Sequence, residues 1–172
     1  MSNFAALVAR SDGAWRGAEV DLSEVETIED VVDVMRDAAT DALPVLLFVE
    51  EDDEWFAIVR IDRTDEPQVF ISDARMVAIS DLAAVLFADL VTDDVAGEGE
   101  AIAEDEDVDA DNERPIGKPA AEPGGVTEIL SDFGIPPKEL LQMCAQEGQL
   151  PADVITAVCE RLGCADEIEV YR

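Results

Sequence analysis

The sequence predicts an α+β fold: an antiparallel sheet with β-β-α-β-β-β-α order, then a disordered acidic tether and a small all-α C-terminal module. Three observations lead to this prediction. Short apolar segments separated by turn residues fill the first half of the chain. A carboxylate-rich segment interrupts them after residue 92. Beyond that segment, Pro and Gly delimit several short amphipathic helices.

The first two strands form a predicted hairpin. Asp12-Gly13 favours the positive φ angles of a two-residue turn, so residues 4–10 should pair with residues 14–22. In that register Arg10 and Trp15 are cross-strand neighbours, close enough for a cation–π contact.

A helix is predicted next. Thr27 followed three residues later by Asp30 is typical of a helix N-cap with an acidic third position. The apolar residues from Ile28 to Met35 then keep helical spacing. An antiparallel sheet with helices on one or both faces would satisfy this order of elements.

Two nearly continuous apolar runs, Val45–Val49 and Trp55–Ile61, predict a second hairpin. Because these runs lack polar alternation, both faces of the sheet should be covered. Pro67–Ile71 predicts a further strand. Asp73–Leu90 predicts a helix, with Ser80 as a break or a second N-cap.

The carboxylate-rich segment predicts the domain division. Residues 93–125 contain twelve acidic and two basic residues, too few apolar ones to offset the entropy of the chain. We therefore predict an α+β sheet domain at 1–92, a disordered acidic linker at 93–125 and a small helical domain at 126–172. Part of the linker resembles a calcium loop, but Ala110 and Ile116 stand where an EF-hand needs Gly and Glu.

The C-terminal part reads as three or four helices. The apolar residues of Val126–Phe133 predict the first, ended by Gly134. Pro137 and Pro151 begin the next two, and Gly163 ends the last of these, in keeping with the preference for Pro at a helix start and Gly after its end.

Charge limits the range of functions. The formal net charge is −31, and the chain has no histidine. Affinity for a phosphate backbone comes mainly from Lys and Arg, so direct binding to nucleic acid is not expected. The most common general acid–base residue and metal ligand is also missing. A basic protein is the expected partner, and neither a secretory signal nor a membrane span is recognised, which predicts a cytoplasmic protein.

No cofactor or metal site is predicted. The three cysteines, Cys144, Cys159 and Cys164, lack the close CxxC-type pair that is typical of zinc sites. Cys144 and Cys159 fall at inward helical positions, which favours buried apolar packing. The chain has no GxSxG element and no glycine-rich phosphate loop.

Five consecutive carboxylates occupy the predicted tip of the second hairpin. One interpretation is a solvated turn; the other is a surface that binds Lys or Arg of a partner, with Trp55 at its base as an aromatic anchor. The predicted partner-binding residues are Glu50, Glu51, Asp52, Asp53, Glu54 and Trp55.

Three segments carry a family resemblance. They read LLFVEEDDEWFAIVRID (Leu46–Asp62), VFISDAR (Val69–Arg75) and ELLQMCAQEGQLPADVITAVCERLG (Glu139–Gly163). Together with the acidic tether, they resemble the actinobacterial tRNA adenosine deaminase-associated proteins. That family name reflects encoding beside a tRNA adenosine deaminase. The resemblance therefore implies an association and supplies no catalytic residue.

The deaminase reaction itself needs a zinc ion held by His and Cys ligands in an HxE…PCxxC setting, and this chain has neither element. We expect a non-catalytic accessory protein that docks on a tRNA adenosine deaminase through acidic surface. The alternative is a general acidic decoy that imitates nucleic acid and binds many basic proteins. An enzyme that uses paired carboxylates, as glycosidases do, is the least supported reading.

Overall fold

A computed structural model describes residues 3–40, 42–63, 66–87, 121–146 and 148–171. Its six strands form one antiparallel sheet with the order β2-β1-β3-β4-β5-β6. The strands are β1 (Asn3–Ser11), β2 (Ala14–Glu19), β3 (Val45–Glu51), β4 (Trp55–Ile61), β5 (Gln68–Ile71) and β6 (Gly124–Gly125). The α-helices are α1 (Ile28–Ala39), α2 (Asp81–Phe87), α3 (Pro137–Cys144), α4 (Pro151–Leu162) and α5 (Ala165–Glu169). The predicted α+β class with an antiparallel sheet is confirmed.

The first hairpin has the predicted register. Asp12 and Gly13 adopt φ angles of 52° and 82°, which a two-residue turn requires. Arg10 pairs with Trp15, and the guanidinium carbon lies 5.7 Å from the centre of the indole ring. The turn dipeptide therefore fixes which residues meet across these two strands.

Both faces of the sheet are covered, as the continuous apolar strands predicted. Successive apolar residues of β3 and β4 alternate between two buried clusters, and each of these residues is less than 2% exposed. On one face lie α1 and α2, here called the first layer. On the other face lie the described residues between 126 and 171, including α3, α4 and α5, here called the second layer.

The segment predicted as one helix from residue 73 to residue 90 is divided in the structure. A 3₁₀ helix spans Ala74–Ala78, and α2 begins at Asp81. The Ser80 hydroxyl accepts a hydrogen bond from the backbone N–H of Ala83 at 3.2 Å, so Ser80 caps α2. Ser80 thus acts as the second N-cap.

The helix predicted over Val126–Phe133 is wrong. The structure has turns there and a 3₁₀ helix at Ser131–Phe133, ended by Gly134 with φ of 88°. The carbonyl oxygen of Ile129 accepts a hydrogen bond from the Arg60 guanidinium at 2.7 Å instead of continuing a helical ladder. A tertiary contact therefore replaces the local hydrogen bond that the apolar spacing suggested.

Most of the predicted linker, residues 93–120, lies outside the described residues. Its last two residues form β6, which pairs with β5. At Gly125 the φ angle is 81°, and an added Cβ would stand 2.2 Å from the Val69 carbonyl oxygen, so only glycine fits. The chain thus returns to the sheet before the second layer begins, while the predicted domain division stays a prediction.

Polar contacts hold the second layer against the sheet. The Trp15 indole N–H donates to the Leu162 carbonyl at 3.0 Å, and the Tyr171 hydroxyl donates to the Gly17 carbonyl at 3.1 Å. A Cβ at Gly17 would lie 2.4 Å from the carbonyl oxygen of Glu167, so this glycine lets the α5 segment approach β2.

Within the described ranges, no helix has the length and apolar character needed to cross a membrane.

Candidate functional site

The second hairpin presents its carboxylates at a tight turn. Asp52, Asp53 and Glu54 are exposed and connect β3 to β4. Asp52 and Asp53 have φ angles of 53° and 56°, in the left-handed region that Asp tolerates better than most residues. The backbone N–H of Glu54 donates to the Glu51 carbonyl at 3.0 Å and closes the turn.

Glu51 links this turn to the first layer. Its carboxylate accepts hydrogen bonds from the Trp55 indole N–H at 3.0 Å and from the Ser80 hydroxyl. Because Ser80 also caps α2, the carboxylate is fixed between the hairpin and the start of that helix. The tip is therefore anchored at its base by side chains.

Trp55 is not on the surface. It is 0% exposed and belongs to the cluster between the sheet and the first layer. Continuous cover by the first layer places the ring in the core, so Trp55 cannot serve as the aromatic anchor considered above. Glu50 is also buried, with 7% exposure. The predicted residues that a partner can reach most directly are Asp52, Asp53 and Glu54.

A cleft lies beside the tip, at the end of the sheet. Its volume is about 710 Å³, and it is bounded by β1, the residues after β2, α2 and the chain after α5. Apolar and aromatic side chains form much of its wall: Phe4, Val20, Leu22, Leu82, Val85 and Tyr171. The cleft thus reaches from the first layer to the second.

The remaining wall of the cleft is strongly acidic. The carboxylates of Glu19, Asp21, Glu51 and Asp81 line it, and none of the described lining residues is Lys or Arg. Hydrogen bonds from Ser23 to the Asp21 carboxylate lower the pKa of Asp21 from its ordinary value. At neutral pH the cleft therefore presents several negative charges over an apolar wall.

The sequence did not indicate this cleft. Its lining comes from five separated parts of the chain, and the carboxylates are not grouped in sequence except at the hairpin tip. The spacing of residues in a sequence shows which side chains share a face of one helix or strand. It does not show a surface that is assembled from several helices and strands.

The cysteines lie in the second layer. Cys159 and Cys164 are buried, and none of the three cysteines forms a disulfide within the described residues. Burial raises the pKa of the Cys144 thiol to about 12, which keeps it protonated at neutral pH and unreactive as a nucleophile. Within the part of the chain that the structure describes, no group of three or more His, Cys, Asp or Glu side chains could hold a metal ion.

The comparison with protein families identifies the chain. Residues 3–165 match the model of the family described as Rv3753c-like tRNA adenosine deaminase-associated protein. The match covers almost the whole chain, which belongs to this family. No curated protein and no solved structure gives a significant match.

Proposed function

We propose that this member of the tRNA adenosine deaminase-associated family is a non-catalytic accessory protein that docks on a tRNA adenosine deaminase through its acidic surface. The observation that carries the proposal is the combination of the family match with a formal net charge of −31 and exposed carboxylates at an anchored hairpin tip. An enzyme that binds tRNA must present basic surface, and complementary charge accelerates and orients association with it.

The residues of the chain support a non-catalytic role. Zinc-dependent base deamination uses His and Cys ligands and a glutamate for proton transfer. The chain has no histidine, and its cysteines are packed among apolar side chains of the second layer. The protein would then work as a cytoplasmic partner, without direct contact to nucleic acid.

The hairpin tip is the first candidate for docking. Asp52, Asp53 and Glu54 are exposed side by side, while Glu51 is held by two hydrogen bonds at their base. A tip fixed in this way loses little conformational freedom on binding, which favours affinity. Lys or Arg side chains of a partner would supply the opposite charge.

A general acidic decoy is the second candidate, because the net charge alone would attract many basic proteins. The two functions differ in salt dependence. Exposed charges are screened beyond about 8 Å at 0.15 M salt, so a decoy loses binding steeply as salt rises. A dedicated partner retains binding through short-range contacts.

The test measures binding to the purified deaminase by titration calorimetry at about 0.15 M salt, near physiological ionic strength. The tip variant carries Asp52→Asn, Asp53→Asn and Glu54→Gln, which remove charge and keep side chains suited to the turn. The loss of interfacial charge pairs should weaken binding by about 1–3 kcal/mol.

The control removes the same three charges from the exposed face of α1, with Glu29→Gln, Asp33→Asn and Asp37→Asn. It should bind like the unchanged protein. Absence of any binding by the unchanged protein would overturn the accessory function. Equally weakened binding in both variants would favour the decoy function. Unchanged affinity of the tip variant would mean that the tip is a solvated turn that does not contact the partner.

A further inference from the structure

We propose that the cleft at the end of the sheet binds an extended basic segment of the partner protein, with an arginine or lysine side chain inserted among the cleft carboxylates. The inference rests on the proposed function, because it names the surface and the chemical group through which the partner would be held.

The shape of the cleft fits a peptide segment. A volume of about 710 Å³ lies within the range of sites that enclose ligands of moderate size. Leu82 and Val85 of α2 line one side, and Tyr171 after α5 lines another, with Phe4 of β1 between the layers. The cleft therefore offers walls from three elements rather than a flat patch.

The chemistry of the lining matches a long cationic side chain. Lys and Arg combine an apolar stem with a charged head, and such residues bury the stem along apolar surface. The aromatic rings of Phe4 and Tyr171 can contact a cation, while Glu19, Asp21 and Asp81 can accept its hydrogen bonds. An anionic ligand would meet only repulsion from these carboxylates.

Two exposed apolar residues stand close in sequence to cleft-lining residues, and they favour a protein segment over a small cation as the ligand. Ile79 is 76% exposed and stands two residues before Asp81; Val170 is 77% exposed and precedes Tyr171. Apolar contacts surrounded by charge are typical of protein–protein interfaces. The acidic tip continues directly from Glu51, so the basic segment would extend along the tip as well.

Two variants test the cleft in different ways. The charge variant carries Glu19→Gln, Asp21→Asn and Asp81→Asn. The filling variant, Ser23→Trp, keeps every carboxylate but places an indole at an exposed position that lines the cleft. The control is again the triple substitution on α1, which removes the same number and kind of charges.

The probes are the purified deaminase and a fluorescein-labelled nine-residue peptide of alternating arginine and leucine. Fluorescence anisotropy at about 0.15 M salt measures binding, and thermal melts confirm that each variant is folded. The charge and filling variants should each weaken binding of both probes by about tenfold or more, and the control by less than about twofold.

The outcomes separate the two proposals. If the charge and filling variants bind the deaminase as tightly as the unchanged protein does, the cleft proposal is overturned and the accessory function is unaffected. Binding of the peptide in the cleft without binding of the deaminase would support the cleft and overturn the accessory function. Equal losses of affinity in the charge variant and the control, with no loss in the filling variant, would show that net charge alone attracts the probes. That result would overturn the cleft proposal.

Discussion

The two layers cover opposite faces of one sheet by different means. The helices of the first layer begin with side-chain caps, Thr27 for α1 and Ser80 for α2. In the second layer α3 begins at Pro137, α4 at Pro151 and α5 at Ala165, and none of the three has a hydroxyl or carboxylate at the capping position. The second layer depends instead on contacts with the sheet, which include apolar packing and the hydrogen bonds of Arg60. Local signals therefore specify the first layer, and long-range contacts position the second.

Removal of the second layer should have the largest effect. A chain of residues 1–120 would expose an apolar sheet face that includes Ala6, Val8, Leu46, Phe48, Phe56, Ile58 and Phe70. Exposing each of the six larger side chains costs about 1.5–3 kcal/mol, and the total of about 9–18 kcal/mol is as large as the typical stability of a domain, about 5–15 kcal/mol. We expect no cooperative thermal melt by circular dichroism. Addition of residues 121–172 should restore one.

A cooperative melt of residues 1–120 alone would contradict this expectation. It would show that the sheet and the first layer form an independent domain, as the sequence-based division at residues 92 and 93 proposes. The comparison between the layers would then be one between two domains that happen to be in contact.

Two of the arginine–aspartate pairs among the described residues permit a comparison between the layers. Arg60 is 9% exposed and donates to Ile129 and Asp132, whereas Arg75, beside Asp73, is 33% exposed. Arg60→Met should lower the free energy of unfolding by about 3 kcal/mol, because it leaves a buried carbonyl without its donor. Arg75→Met should cost less than Arg60→Met, because the buried Asp73 carboxylate keeps its hydrogen bonds from the backbone N–H groups of Arg75 and Glu122. Urea unfolding measures the free energy of both variants. Similar losses of stability would contradict the expected difference between the two arginines.

Acid should weaken the Arg60 contact. Hydrogen bonds from the Arg60 guanidinium hold the pKa of Asp132 below its ordinary value. A carboxyl group with a lowered folded-state pKa stabilises the fold above its unfolded pKa of about 3.9, and this contribution is lost as pH falls through the folded value. Asp132→Asn should therefore melt lower than the unchanged protein at pH 7, and the difference should shrink as the pH falls below about 3.9. A difference in melting temperature that does not change with pH would mean that the substitution acts through packing and not through the charge of Asp132.

The sequence predicted those parts of the fold that depend on neighbours in the chain. Asp12-Gly13 determined a hairpin register, and Thr27 formed the predicted N-cap, which Asp30 makes reciprocal. The covering of both sheet faces followed from continuous apolar strands. The failure at Val126–Phe133 arose where Arg60, distant in sequence, takes a backbone carbonyl from the local ladder.

The candidate site was less predictable for the same reason. The carboxylates of the tip were visible as a run in the sequence, but the burial of Trp55 depends on how the first layer packs on the sheet. The cleft needs residues from both ends of the chain, and Tyr171 joins it only because α5 packs on β2. Surfaces of this kind become visible only when the second layer is in place.

The smallest expected effect comes from two substitutions that exchange the N-cap residues of the two layers. In the first layer, Thr27 and Asp30 satisfy each other's backbone N–H groups, at 3.2 and 2.9 Å. In the second layer, the Asp153 carboxylate accepts from the Leu150 N–H at 3.3 Å, but the leucine side chain has no acceptor to return. Leu150→Thr should complete the same cap and raise the free energy of unfolding by about 0.5–1 kcal/mol, while Thr27→Leu should lower it by about 1 kcal/mol. Urea unfolding of the two variants measures these opposite signs. A lower free energy of unfolding for Leu150→Thr would mean that the half-exposed leucine stabilises the second layer by packing. Apolar contacts would then outweigh capping even at the start of α4, the longest helix described in that layer.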